Sequence, residues 1–193
     1  MKGIIFNLLE EVVSEEFGES AWDELLDRVE VDGAYTSLAS YPDVELMGLL
    51  EALPTLSGLR GDELLRWFGR ASMPVLAQRY PGFFDGHTST RSFLLTLNNI
   101  IHPEVRKLYP GADVPVFDFE PVGDSTTGED TMVVGYRSAR RLCALAEGFI
   151  QGAAEIFGED LVMEQPLCMK RGDERCALVC KFSAKAEAAD VRG

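Results

Sequence analysis

The apolar residues of this chain change their spacing once, near residue 112, and that change limits the folds open to it. Before it they recur three and four apart, the helical period. Ile4, Ile5, Leu8, Leu9, Val12 and Val13 fall on one face, and Gly18 stops that helix. Ser20 can cap a second helix carrying Trp22, Leu25, Leu26 and Val29. Further helices are predicted near 42–52 and 61–78, the latter with Leu64, Leu65 and Phe68 on one stripe. "RYPGFFDG" is a loop by its Pro and Gly content, and a helix follows from about Thr88 or Ser89 to near Tyr109. After the change, "VPVFDFEPV" and "TMVVGY" alternate as strands, joined by the turn-rich "GDSTTGED". "SARRLCALAEGFIQGAAEIFG" reads as a helix, and the strand-like "LVMEQPLCM" and "RCALVCKFS" flank the turn "KRGDE". Helices followed by a β-β-α-β-β series predict an α+β fold. An N-terminal helical half would pack on a half built from a helix and a roughly four-stranded antiparallel sheet.

Composition narrows the function. A chain of 193 residues reads as one domain, large enough to bury about 70% of its unfolded surface. Its net charge of −14 argues against a nucleic-acid surface and against attraction to anionic lipid. No run of 18 uncharged apolar residues occurs, so no membrane span is expected. The start "MKGIIFNLLEEVV" superficially resembles a signal peptide, but Glu10 and Glu11 break its apolar run and no cleavage site follows. Four cysteines without a secretory signal point to a reducing, cytoplasmic setting, where thiols serve as metal ligands or core residues.

Two stretches carry chemistry. His102, one of only two histidines, follows the apolar run Phe93, Leu94, Leu95, Leu97, Ile100, Ile101 and precedes Pro103, which should kink or break the helix. A buried imidazole needs a partner for its free ring nitrogen, either a carbonyl in the core or an external ligand. In "GYRSARRLC", Tyr136, Ser138 and Arg140 alternate where strand runs into helix, so two hydroxyls and a guanidinium can face one target. Such a trio suits carboxylates, because arginine forks to an oxygen pair and each hydroxyl donates one bond. Alone, the trio equally describes a core tyrosine, a capping serine and a surface arginine.

Together these stretches resemble the haem–nitric oxide/oxygen binding (H-NOX) family, related to the haem domain of soluble guanylate cyclase. The resemblance rests on "MKGII" at the start, on His102 with "YPG" and Pro115 at 102–115, and on Tyr136-x-Ser138-x-Arg140. It covers residues 1–183 as a single haem-binding domain, leaving 184–193 as a polar C-terminal tail. It implies a b-type haem between the two halves. His102 would be the proximal iron ligand, Tyr136, Ser138 and Arg140 would bind the propionates, and Pro115 would press on the porphyrin and bend it.

The distal side decides the gas. Bound oxygen carries partial negative charge and needs a donor, whereas nitric oxide on ferrous iron is held without one. Oxygen-binding relatives place a tyrosine nine residues after the tyrosine of the trio, and here that position is Leu145. The other positions mapped to the distal pocket, Ile5, Leu9, Leu76 and Phe149, are apolar too. The reading is a sensor of nitric oxide that also binds carbon monoxide and forms no stable oxygen complex. Nitric oxide would weaken the bond to His102, letting the haem flatten against Pro115 and the helical half rotate on the sheet half. The resemblance implies that the signal passes to a separate protein, such as a histidine kinase or a diguanylate cyclase/phosphodiesterase, and an acidic surface suits a basic contact patch. An enzymatic, peroxidase-like haem protein would need a distal acid–base pair, and the other histidine, His87, lies in the loop "FFDGHTST", where it is expected to be solvated. The domain is therefore read as a sensor, not an enzyme.

Cys143, Cys168 and Cys176 match positions at which bacterial relatives bind zinc through three cysteines and a histidine, but the histidine position reads Gln165 here. The expectation is a three-cysteine cluster that binds zinc with a water or a non-histidine fourth ligand, or a redox-sensitive thiol set on the same fold. Cys180 lies four residues beyond Cys176, roughly 13 Å along a strand, too far to share an ion, and reads as core.

Overall fold

The computed structural model describes residues 1–121 and 130–185. The predicted turn at 123–130 lies outside the described residues apart from Asp130, as do residues 186–193 of the tail. The first half contains α1 (Gly3–Phe17), α2 (Glu19–Val29), α3 (Asp43–Ala52), the short α4 (Pro54–Ser57) and the long α5 (Asp62–Arg79). The second half begins with β1 (Val116–Pro121) and continues with β2 (Asp130–Arg137), α8 (Cys143–Ile156), β3 (Glu159–Leu167) and β4 (Cys176–Ala184). These strands form one antiparallel sheet in the order β1-β2-β4-β3. The fold is α+β, as the change of period requires. No described helix is long and apolar enough to cross a membrane.

Several boundaries differ from the sequence reading, each for a local reason. Gly18, at φ 93°, both ends α1 and starts α2, so Ser20 sits inside α2 and caps nothing. The helix expected to start at Ser138 starts at Cys143, because Ser138–Leu142 forms a turn in which Arg141 takes the left-handed φ of 52°. β4 runs one residue past the predicted domain limit, to Ala184.

The segment preceding β1 is the most irregular. Ser89 caps α6 (Thr90–Leu94), its hydroxyl oxygen accepting the Ser92 amide proton at 3.2 Å. A π-helical turn follows over Leu97–Ile101, and α7 (His102–Leu108) then begins with Pro103 in its first turn. Proline has no amide proton to donate and crowds the preceding turn. The widened turn absorbs that conflict, since π turns accommodate one extra residue without breaking the helical path.

Two apolar clusters fill the interior. One joins α1, α2, α3 and α5 through residues such as Phe6, Leu9, Trp22, Leu49 and Phe68, all buried. The other lies between the sheet and α8 and includes Met132, Val134, Ile150, Leu178 and Phe182. α5 and α8 join the two halves with unusually little between them. A Cβ on Gly69 would overlap the carbonyl oxygen of Leu145, and one on Gly148 the carbonyl oxygen of Arg66. Glycine at both positions is what lets the two backbones touch. Beside this crossing Arg66 Nε donates to Glu147 Oε2 at 2.5 Å, and the Glu147 side chain is only 7% exposed.

Candidate functional site: an imidazole, a carboxylate-binding trio and a thiol cluster

His102 occupies the first position of α7, directly after the π turn. Its ring lies 5.7 Å from that of Phe117 on β1, and Asn98 in the π turn donates to the Phe117 carbonyl at 2.6 Å, tying this segment to the sheet. Burial, with the positive charge of Arg106 behind it, lowers the imidazole pKa to about 4. The ring is therefore neutral across the physiological range, with one nitrogen lone pair to offer, the form that ligates iron. Tyr109, at the far end of the helix, shares a hydroxyl–hydroxyl hydrogen bond with Tyr80 at the end of α5.

The trio runs from the end of β2 into the turn before α8, and its three side chains take different partners. Tyr136 is 3% exposed, and its hydroxyl oxygen accepts the Leu142 amide proton at 3.1 Å. The Ser138 hydroxyl oxygen accepts the Arg140 amide proton at 3.3 Å. Burial raises the Tyr136 pKa against the hydrogen bond from Leu142, so the phenol keeps its proton. The Arg140 guanidinium reaches back across the molecule. Nε donates to Asp43 Oδ2 at 2.6 Å, and Nη1 donates to both the carbonyl and the carboxylate of Asp113, at 2.9 and 2.7 Å. Asp43 also receives the N-terminal ammonium at 2.5 Å. Burial alone would raise the Asp43 carboxyl, but hydrogen bonds from the ammonium and from Arg140 outweigh it and hold the pKa below the usual range.

Sequence reasoning missed Asp43 and Asp113. Asp43 stands 97 residues from Arg140 and Asp113 stands 27, so no local pattern links them. The arrangement is that of a carboxylate-binding arginine, since two carboxylates already sit on it, while no described hydrogen bond uses its Nη2. A neutral histidine beside the Phe117 ring and a carboxylate-binding arginine after β2 are groups that a propionate-bearing macrocycle would need.

Leu9 and Leu145 are core residues of the helical cluster, and Ile5, Leu76 and Phe149 pack against it half-buried, so the five mapped distal positions share one apolar region. Pro115 is half-buried immediately before β1. His87 departs from expectation: it is partly buried, with Nδ1 3.2 Å from Ser92 Oγ and its ring edge-on to Phe93 at 5.9 Å. An open groove of about 750 Å³ is bordered by Glu10, Glu11, Glu19 and Asp23, but it contains none of these site residues.

The thiols behave as the spacing suggested. The sulfurs of Cys143, Cys168 and Cys176 all lie within 4.8 Å of one another, and all three residues are buried. Cys143 and Cys168 are 3.9 Å apart, close to the roughly 3.8 Å between two sulfurs on one tetrahedral ion with zinc–sulfur bonds of about 2.3 Å. The tight turn after β3 aims an amide proton at one of the sulfurs. Met169 N–H points at the Cys176 sulfur at 3.3 Å, and the Arg171 amide donates to the Cys168 carbonyl at 2.8 Å, closing the turn. Burial opposes ionisation of Cys168, but the nearby backbone amides and the neighbouring thiols Cys143 and Cys176 outweigh it and lower its pKa, whereas burial pushes Cys176 up to about 12. Cys180 is outside the cluster, its thiol likewise pushed up to about 12 by burial in the core.

Comparison with known proteins agrees with this geometry. A family model described as Haem-NO-binding matches residues 2–165. Among solved structures, an H-NOX protein from Shewanella oneidensis in the Fe(II) state, a triple mutant, is 30% identical, with 97% of this chain and 98% of that one covered and a TM-score of 0.87. The same organism's H-NOX protein in the Fe(II)NO state is 30% identical over 95% and 99% of the two chains, with a TM-score of 0.85. Its Fe(II)CO form is 30% identical over 97% and 100%, with a TM-score of 0.83. No curated protein matches the chain. With the family model matching most of its length and a 30% identical structure covering nearly all of it, the chain belongs to the H-NOX family of haem–nitric oxide binding domains.

Proposed function

We propose that this protein is a sensor of nitric oxide, also binding carbon monoxide and forming no stable oxygen complex, with His102 as the proximal ligand of a ferrous b-type haem. When bound, the haem supplies the iron on which a diatomic gas is held. The observation that carries the reading is a neutral imidazole at the head of α7, supported by the side chains at the mapped distal positions, Ile5, Leu9, Leu76, Leu145 and Phe149, none of which carries a hydrogen-bond donor. Tyr136, Ser138 and Arg140 anchor the propionates, and Asp43 and Asp113 hold Arg140 in position for that task. Pro115, fixed where β1 begins, presses on the macrocycle.

His102 is the tether through which the gas acts. Its release would free α7, which the π turn separates from α6, while the hydroxyl pair Tyr80–Tyr109 ties the far end of α7 to the end of α5. Switching a population from 1:99 to 99:1 takes about 5.5 kcal/mol of differential affinity. The output passes to a separate signalling protein such as a histidine kinase or a diguanylate cyclase/phosphodiesterase. The domain senses rather than catalyses, because the second histidine is engaged with Ser92 and Phe93 instead of facing the apolar region as a distal base would.

Absorption spectra of the purified, reduced protein, first anaerobic and then under air, carbon monoxide and nitric oxide, test the whole reading. Shifts of the haem band with the last two gases and none to a stable oxygen complex are expected. Failure to retain haem, or a long-lived oxygen complex, overturns it. The thiol cluster is a second, separate centre, for which we propose metal binding by Cys143, Cys168 and Cys176.

A further inference from the structure

The fourth corner of the thiol cluster distinguishes this chain. Among the described residues no histidine, aspartate or glutamate joins the three sulfurs within their mutual reach. Gln165 stands where the family resemblance read from the sequence implies a histidine. It lies in the β-bulge between Glu164 and Leu167, opposite Leu178. Its exposed neighbours Glu164 and Pro166 turn outward, whereas Gln165 turns inward, to the face that carries Cys176, Leu178 and Cys180. Its Nε2 is buried without a hydrogen-bond partner.

An orphaned amide donor costs free energy unless an acceptor forms beside it. A carboxamide nitrogen has no lone pair to give a metal, but a metal-bound thiolate accepts a hydrogen bond from it. The amide of Met169 already points at the Cys176 sulfur in this way. Such donors spread the charge of a thiolate set that must stay negative in a buried place. Zinc prefers four protein ligands in closed sites, while soft ions such as cuprous copper are satisfied by sulfur alone.

We infer that Cys143, Cys168 and Cys176 form a three-sulfur site that is complete for a soft, thiophilic ion and one ligand short for zinc, with Gln165 donating its amide proton to a bound thiolate from outside the coordination sphere. The inference rests on the thiol cluster being a metal site at all. Zinc, if bound, keeps an exchangeable fourth position.

The test uses the full chain, reduced and anaerobic, titrated with Zn²⁺ and with Cu⁺ against competing chelators, with thiolate-to-metal absorption as the readout. Gln165→His is expected to tighten zinc at least tenfold and to change Cu⁺ affinity less than about twofold. Gln165→Ala is expected to weaken zinc and Cu⁺ alike, by about tenfold, because it removes a hydrogen bond to the thiolates that either ion uses. Cys143→Ser should abolish 1:1 binding of both ions. A loss of zinc affinity in Gln165→Ala with Cu⁺ affinity unchanged would make Gln165 a zinc ligand and overturn the inference alone, as would no change for either ion. Equal zinc affinity in the wild type and in Gln165→His would do the same. Absence of binding by either ion would overturn the inference together with the metal-site reading beneath it. Haem spectra recorded on the same samples report folding independently.

Discussion

Arg140→Ala separates folding from haem retention, because the structure assigns very different weights to the two. The guanidinium is 23% exposed, but its partners Asp43 and Asp113 are 43% and 70% exposed. Ion pairs with such exposed carboxylates are worth roughly 0–1 kcal/mol each. Removing the arginine should therefore cost the haem-free fold about 1 kcal/mol, a fall in Tm of about 2–4 °C for a chain of this size. A propionate is different. Seated against the buried Tyr136 and the apolar wall, it would lose its charged partner where water cannot fully replace it, at roughly 2–5 kcal/mol. At 1.36 kcal/mol per tenfold, that is about 30-fold to several-thousand-fold in haem affinity. Thermal unfolding of the haem-free protein measures the first quantity, and the rate of haem transfer to an excess of a haem-scavenging apoprotein measures the second. Arg140→Lys, which keeps the charge and loses the fork, should fall between. An unchanged transfer rate would refute the propionate role, and a Tm loss large enough to account for the haem loss would show that Arg140 acts through folding.

His102→Ala should lose most of its haem and regain it when imidazole is supplied, with full haem content in the unsupplemented variant refuting the tether. Because the folded pKa of His102 is lowered to about 4, ferrous coordination should be constant from pH 8 to about 5, as followed by absorption. The same shift makes the haem-free fold lose stability as pH falls from about 6.5 toward 4, because there the unfolded chain binds a proton that the folded one refuses. His102→Leu should flatten that part of the pH–Tm profile. Leu145→Tyr puts a hydroxyl on the apolar cluster and should make an oxygen complex at least transiently visible by stopped-flow absorption, and a stable oxygen complex already in the wild type would sink the argument. Gly148→Leu should lower stability by several kcal/mol or prevent folding, because its side chain has to displace the Arg66 backbone, and a Tm within 2 °C of wild type would refute the close crossing.

What was legible in the sequence was what depends on local period and spacing. The amphipathic stripe of α1, the alternation in β2 and the cysteine spacing around the turn after β3 each encode one element, and each appears where expected. The π turn before His102 was only half legible. Pro103 signals a conflict but does not say that the helix widens rather than kinks. The start of α8 was misjudged because Ser138–Leu142 has a helix-compatible composition, while the left-handed Arg141 and the capture of the Leu142 amide by Tyr136 are tertiary effects. Asp43 illustrates the limit. Its partners are the chain terminus and a residue in the other half, and nothing within ten residues of it announces either.

The glycine-lined contact between α5 and α8 has a mechanical consequence. Where side chains separate two helices, rotamer changes allow the helices to slide by small increments. Here backbone meets backbone at Gly69 and Gly148, and there is no such lubricating layer. The two helices form one splint that runs through both halves of the molecule, reinforced beside the contact by Arg66 and Glu147. A wholesale swivel of the helical half on the sheet half would have to tear that splint. Strain generated at His102 instead meets least resistance in the short pieces strung between its ends, namely α6, the π turn and α7. The splint stays still while the strap beside it moves.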